Sequence, residues 1–129
     1  MAAPEPRGLI LSDDLIFTSR ITGTAADLGL TVKAARTPAA LLELAGRGGV
    51  RLVILDLANP GLVIADLLKR LKGSGAGPYV VAYGSHVDTA TLKAARDAGC
   101  DVVLPRSKFV EELPKTLPDW FSRGSAGSH

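Results

Sequence analysis

The chain has 129 residues, 47% of them hydrophobic and 22% charged, with a formal net charge of +2. That length suits one domain with one core, and so small a charge gives no electrostatic case for nucleic acid. The single Cys100 excludes an internal disulfide framework and most cysteine metal sites, so a reducing, cytoplasmic setting is the simplest expectation.

The start, Met-Ala-Ala-Pro-Glu-Pro, has neither a basic opening nor a long apolar run, so no secretory signal is expected. No apolar stretch approaches membrane-spanning length. Along the chain two textures alternate. Short β-branched runs read as strands buried on both faces: Gly8–Ser12, Leu30–Ala35, Val50–Leu55, Tyr79–Tyr83 and Asp101–Pro105. Helix-length segments separate them. In the first, Phe17, Ile21, Ala25 and Leu28 share one helical face. The second opens on Thr37-Pro38, an N-cap followed by proline at the first helical position. The third carries Ile64, Leu67, Leu68 and Leu71 on one face, and its end, Lys69–Gly73, reads as a solvated terminus that favours cations. The fourth starts at Asp88 and stops at Gly99. The fifth holds Pro114 and Pro118 where a helix interior belongs, so a short, kinked or split helix is expected. Five βα units imply one parallel sheet, with right-handed crossovers and helices on both faces. A single domain over 7–122 follows, with disordered tails at 1–6 and 123–129.

The acids sit where an α/β sheet builds its sites, at the carboxyl ends of strands. The first strand runs into Asp13 and Asp14, and the third into Asp56 ahead of Asn-Pro-Gly. If those strands are neighbours, three carboxylates converge. Like charges so close need a cation, and a hard ion such as Mg²⁺ takes oxygen ligands. A carboxylate can also serve as a nucleophile and form an acyl phosphate. The plainer alternatives stay open: Asp13 or Asp14 caps the next helix, and Asp56 is a turn residue.

Together the pieces ILSDD, VILDLANPG, PYVVAYG and AGCDVVLPRS resemble the receiver domain of bacterial two-component response regulators, over Arg7 to about Phe121. The resemblance implies a flavodoxin-like, doubly wound α/β fold with five parallel strands in the order 2-1-3-4-5. It also implies Mg²⁺ held by Asp13, Asp14, Asp56 and the Ala58 carbonyl, and phosphoryl transfer from a histidine kinase to Asp56. No enzymatic activity is expected beyond that transfer and self-dephosphorylation. The implied partners are a histidine kinase or other signalling protein, and an effector protein on the face made by helix 4, strand 5 and helix 5. A homodimer stays open, and neither a membrane nor nucleic acid is expected as a partner.

The match fails at the switching half. Where the family has threonine or serine at the end of strand four, this chain has Tyr83, expected to fill the space above the site, with Ser85 two residues on. Where the family has Lys-Pro, it has Arg106-Ser107. Arginine is a planar fork shaped to hold a carboxylate, so Arg106 is expected to reach Asp56 or the acid pair. A cis bond before serine costs roughly 3–4 kcal/mol, so a trans bond and a reshaped loop are expected there. The family's aromatic three residues before the lysine is Val103. The resulting expectation is an atypical receiver that works by protein–protein interaction, with Asp56 a candidate phosphoacceptor. The alternative is a small nucleotide- or cofactor-binding flavodoxin-like domain, against which the acidic Ser-Asp-Asp-Leu after strand one counts. His86, near the site, and Cys100, more a small hydrophobe than a reactive thiol, are weaker candidates. Trp120 and Phe121 read equally as core or as an exposed patch.

Overall fold

The computed structural model describes residues 7–73 and 77–124. Five strands alternate with five helices: β1 (Arg7–Leu11), α1 (Leu15–Asp27), β2 (Val32–Ala35), α2 (Pro38–Gly46), β3 (Val50–Asp56), α3 (Ile64–Lys72), β4 (Tyr79–Gly84), α4 (Thr89–Ala98), β5 (Val102–Pro105) and α5 (Arg106–Arg123). The sheet is parallel throughout, in the order β2-β1-β3-β4-β5, as expected. β2 starts later than Leu30 because the Leu30 amide donates to the Ala25 carbonyl at 2.8 Å and closes the end of α1. Leu28 is the C-cap of α1 and is 41% exposed, so the buried face of that helix is Phe17, Ile21 and Ala25.

Alternation along the strands builds two cores, one on each face of the sheet. Ile10, Leu52, Ile54, Val81 and Tyr83 face α1 and α5. Leu9, Leu11, Val53, Leu55, Val80 and Ala82 pack with residues of α2, α3 and α4. Three helices start on a side-chain cap: Asp14 for α1, Thr37 for α2 and Asp88 for α4. Gly99 closes α4 at φ 105°, a left-handed position that suits glycine.

Of the short, kinked or split helix expected, two alternatives are overturned, because α5 is neither short nor split: it runs 18 residues with both prolines inside it. Phe109, Leu113, Leu117, Trp120 and Phe121 bury one face against the sheet. Pro114 and Pro118, four residues apart, lie together on the exposed face. The carbonyls they leave unbonded therefore have water within reach, and the buried stripe outweighs the local penalty. Trp120 and Phe121 belong to the core, at 5% and 6% exposure. Arg123 closes the helix one residue past the expected domain end. Gly124 is buried, and its carbonyl accepts from the Arg51 guanidinium at 3.3 Å. A Cβ at Gly124 would collide with the Arg51 carbonyl. The expected tail residues 1–6 and 125–129 lie outside the described residues.

Candidate functional site

Strand register explains the site. Ile10 of β1 pairs with Ile54 of β3, so two residues on, Ser12 lies opposite Asp56 at the carboxyl end of the sheet, on the α1/α5 face. The Ser12 hydroxyl donates to Asp56 Oδ2 at 2.7 Å, and the Ala58 amide donates to Oδ1 at 2.9 Å. Asp56 is 7% exposed, and a carboxylate this buried needs those donors. Ser12 is the functional candidate that sequence reasoning missed. Its signal was the same parity: it stands two residues after an inward isoleucine, as Asp56 does.

Asp14 does two jobs. Its Oδ1 accepts from the Phe17 amide at 3.0 Å and caps α1; its Oδ2 accepts from Arg106 at 3.1 Å. The Phe17 amide first, and then Arg106, hold its carboxyl below the usual aspartate value. The Asp14 amide donates to the Ser12 hydroxyl at 3.1 Å, tying the cap to the Asp56 network. Arg106 also lies over the Phe17 ring, 4.0 Å from the guanidinium carbon to the centroid. It therefore reaches the acid pair, through Asp14, while both oxygens of Asp56 take uncharged donors. The pair is half-exposed, at 49% and 40% for the two side chains. Arg106 opens α5 directly after Pro105, so helix replaces the expected loop. No cis peptide occurs among the described residues, as expected for Arg106-Ser107.

Tyr83 lines the same cavity as Asp56 and Arg106, with its ring anchored in the core beside them. As the register partner of Asp56 it points into the α1/α5 core at 1% exposure. Its ring centroid is 4.7 Å from that of Phe109 and 5.1 Å from that of Phe17. Phe109 in turn stacks on Trp120 at 5.8 Å, completing an aromatic column beneath the site. The Tyr83 hydroxyl has no hydrogen-bond partner among the described residues. Burial first, then the Asp56 charge, push its pKa far above the ordinary tyrosine value.

The three acids do not gather as the sequence led us to expect. Among the described residues no group of three or more acids, histidines or cysteines is placed to hold a metal ion. The reason is local: Asp14 is turned onto the helix terminus and Arg106, Asp56 is drawn to Ser12, and Asp13 is exposed. The residues as arranged do not fit Mg²⁺. Ala58 contributes its amide to Asp56.

The remaining candidates resolve simply. His86 and Ser85 are exposed after β4. Val103 is half-buried against the other core. Burial first, and then Asp101, push the Cys100 thiol up to about 11, which suits a packing role. Lys72 is pinned to Asp101 at 2.6 Å, whereas Lys69 and Arg70 stay exposed.

No protein-family model matches the sequence, and no curated protein matches it. Solved structures match it in shape. The receiver domain of NtrX from Brucella abortus superposes with a TM-score of 0.77 at 20% identity, covering 91% of this chain and 99% of that one. The receiver domain of a Francisella response regulator, 1452, gives 0.76 at 22% identity, covering 92% and 98%. The receiver domain of Ssk1 from Saccharomyces cerevisiae, solved with the histidine phosphotransfer protein Ypd1, gives 0.76 at 19%, covering 95% and 92%. The chain has the five-stranded α/β fold of response-regulator receiver domains.

Proposed function

We propose that the chain is an atypical receiver-type signalling module, with Asp56 as phosphoacceptor and protein partners on both sides of the signal. The observation that carries this is Asp56 itself. It is a buried carboxylate at the carboxyl end of β3, aligned by Ser12 and the Ala58 amide, in a fold shared with receiver domains. Such a carboxylate is oriented as a nucleophile needs to be. The donor is a phosphohistidine on a kinase or phosphotransfer protein, the class of partner found with Ssk1. Arg106, paired with Asp14 and lining the same cavity as Asp56, is a cation placed to take the added charge. The output passes to an effector protein on the face of α4, β5 and α5, where the chain departs most from the receiver pattern. Mg²⁺ is left out of this scheme, because Asp13, Asp14 and Asp56 are not gathered around one position.

Intact mass after incubation with acetyl phosphate, with and without Mg²⁺, tests the reading. A single phosphoryl adduct in the parent, absent from Asp56→Asn, supports it. No adduct from acetyl phosphate or from a phosphorylated phosphotransfer protein overturns the acceptor role.

A further inference from the structure

Asp56 Oδ2 accepts from the Ser12 hydroxyl at 2.7 Å. Ser12 is fully buried and stands two residues after Ile10, as Asp56 stands two after Ile54, the register partner of Ile10. The two side chains therefore face each other across β1 and β3. From this place a second carboxylate would reach Asp56 if the two were to share a hard cation. The acids that follow do not make up for the serine. Asp14 is spent on the Phe17 amide and on Arg106, and Asp13 is exposed. Arg106 lines the same cavity as Asp56, and its charge opposes the approach of a second cation.

The serine is itself held. Its oxygen accepts from the Asp14 amide at 3.1 Å, and its one proton goes to Asp56. On the other side of the carboxylate the Ala58 amide holds Oδ1. Ala58 lines the cavity, whereas Ser12 has no exposed surface, so Oδ1 is the oxygen on the open side.

We propose that Ser12 stands in for a metal ion: its hydroxyl fixes Oδ2, leaves Oδ1 to the incoming phosphoryl group, and makes the site independent of Mg²⁺. Where it concerns phosphoryl transfer, this rests on Asp56 being the acceptor. In that transfer Oδ1 gives an electron pair to phosphorus and the P–N bond of the phosphohistidine breaks. The imidazole keeps the bonding pair and takes a proton from solvent. Ser12 gives up no proton. It is a positioning residue, and a carboxylate free to rotate would lose the line of attack.

Magnesium binding tests this without any phosphorylation. Amide shifts of the ¹⁵N-labelled full chain at Asp13, Asp14, Asp56 and Ala58 should not saturate at millimolar Mg²⁺. Ser12→Asp puts a second carboxylate against Asp56, so it should melt below the parent. Mg²⁺ should raise the melting temperature of that variant and leave the parent and Ser12→Asn unmoved. Saturable binding in the parent overturns the proposal, and so does a Ser12→Asp chain that Mg²⁺ does not stabilise. Labelling by acetyl phosphate, read by intact mass, tests the positioning role. The parent should label at the same rate, within about twofold, in Mg²⁺ and in EDTA. Ser12→Ala should label about tenfold slower or more, and Ser12→Thr, which keeps the hydroxyl, should recover most of the rate. Three results overturn the proposal and leave Asp56 as acceptor: a parent that needs Mg²⁺ to label, Ser12→Ala labelling like the parent, or Ser12→Thr labelling no faster than Ser12→Ala. A parent that takes no label under any condition refutes the acceptor reading instead, and the Mg²⁺ arms then decide alone.

Discussion

Replacing Tyr83 by phenylalanine should stabilise the domain, and replacing it by threonine should cripple it. In Tyr83→Phe the ring keeps its neighbours, Phe109 at 4.7 Å and Phe17 at 5.1 Å between centroids. What goes is a buried hydroxyl that makes no well-formed hydrogen bond among the described residues, with Ser12 beside it. Leaving such a group unsatisfied costs about 1–3 kcal/mol, and the small void its oxygen leaves offsets part of the gain. The net is a gain of about 1 kcal/mol. With a urea slope near 2 kcal/mol per molar, the unfolding midpoint rises by about 0.5 M. In Tyr83→Thr the ring itself is lost from its stack with Phe109 and Phe17. Loss of a buried aromatic costs on the order of 3–5 kcal/mol, a large share of the 5–15 kcal/mol that holds a typical domain. Urea titrations of the three chains, followed by tryptophan fluorescence at Trp120, measure both effects.

Alkaline pH gives the same residue a second readout. Burial and the Asp56 charge raise the folded pKa of Tyr83 above its ordinary value near 10. The folded chain therefore keeps a proton that the unfolded chain releases. The resulting stability is complete below the unfolded value and is lost as pH rises above it. The parent should lose midpoint between pH 10 and the folded value, with a steeper slope than Tyr83→Phe. The reasoning is refuted if Tyr83→Phe is less stable than the parent by about 1 kcal/mol or more, because the hydroxyl would then be making a hydrogen bond of ordinary worth. Parallel alkaline slopes for the two chains would refute the pKa argument separately.

Ser12→Ala removes a 2.7 Å donor from a carboxylate 7% exposed, and should cost about 2 kcal/mol in the same urea assay, the range for buried hydrogen bonds to charge. Arg106→Gln should raise the Asp14 pKa towards its ordinary 3.8 without reaching it, because the Phe17 amide is the larger cause of the depression. A carboxyl depressed on folding contributes stability above the unfolded value that is lost as pH falls through the folded one. The variant should therefore lose less on acidification below pH 3.8, as read by NMR titration of Asp14 and by melting. Pro118→Ala restores an amide donor to the Pro114 carbonyl on the exposed face of α5, and should stabilise by about 1 kcal/mol after the proline's restriction of the unfolded chain is given up. A midpoint unchanged or lowered would mean that the prolines fit the helix better than the local rule allows.

The fold was legible because its signals are one-dimensional. Five short apolar runs and four well-marked helix starts or stops leave few ways to wind a parallel sheet, and the cap residues Asp14, Thr37 and Asp88 sit where the sequence put a cap or the start of a helix. The length and continuity of the fifth helix were misread because proline's cost is local, whereas the gain from burying Phe109, Leu113, Leu117, Trp120 and Phe121 depends on a sheet the local window does not contain. At the site, residue positions were legible and directions were not. Tyr83 aligned with the end of strand four, but which face its ring takes follows from pairing: its partner is Asp56 and its next inward neighbour is Val81. The acids were counted as one cluster because they share a sheet edge. A shared edge does not fix rotamers, and a free helix terminus claimed Asp14.

That claim on Asp14 bears on how such a site can switch. A conformational change follows from a modification only if the modified group interacts differently with the two states. Here Arg106 bridges elements: it starts α5, stacks on Phe17 of α1 and pairs with the carboxylate that caps α1. Ser12 joins the same cap to Asp56 through the Asp14 amide. A phosphoryl group on Asp56 would turn the oxygen that one donor now uses into the bridging oxygen of an acyl phosphate, a weaker acceptor, and add charge that competes with Asp14 for Arg106. Either change acts first on the seam between α1 and α5. Under the proposed phosphoacceptor reading, the element such a change would bias is that seam and the aromatic column beneath it, running from Phe17 through Tyr83 and Phe109 to Trp120. Val103, where the receiver pattern has a mobile aromatic, packs half-buried in the opposite core and has no part in it.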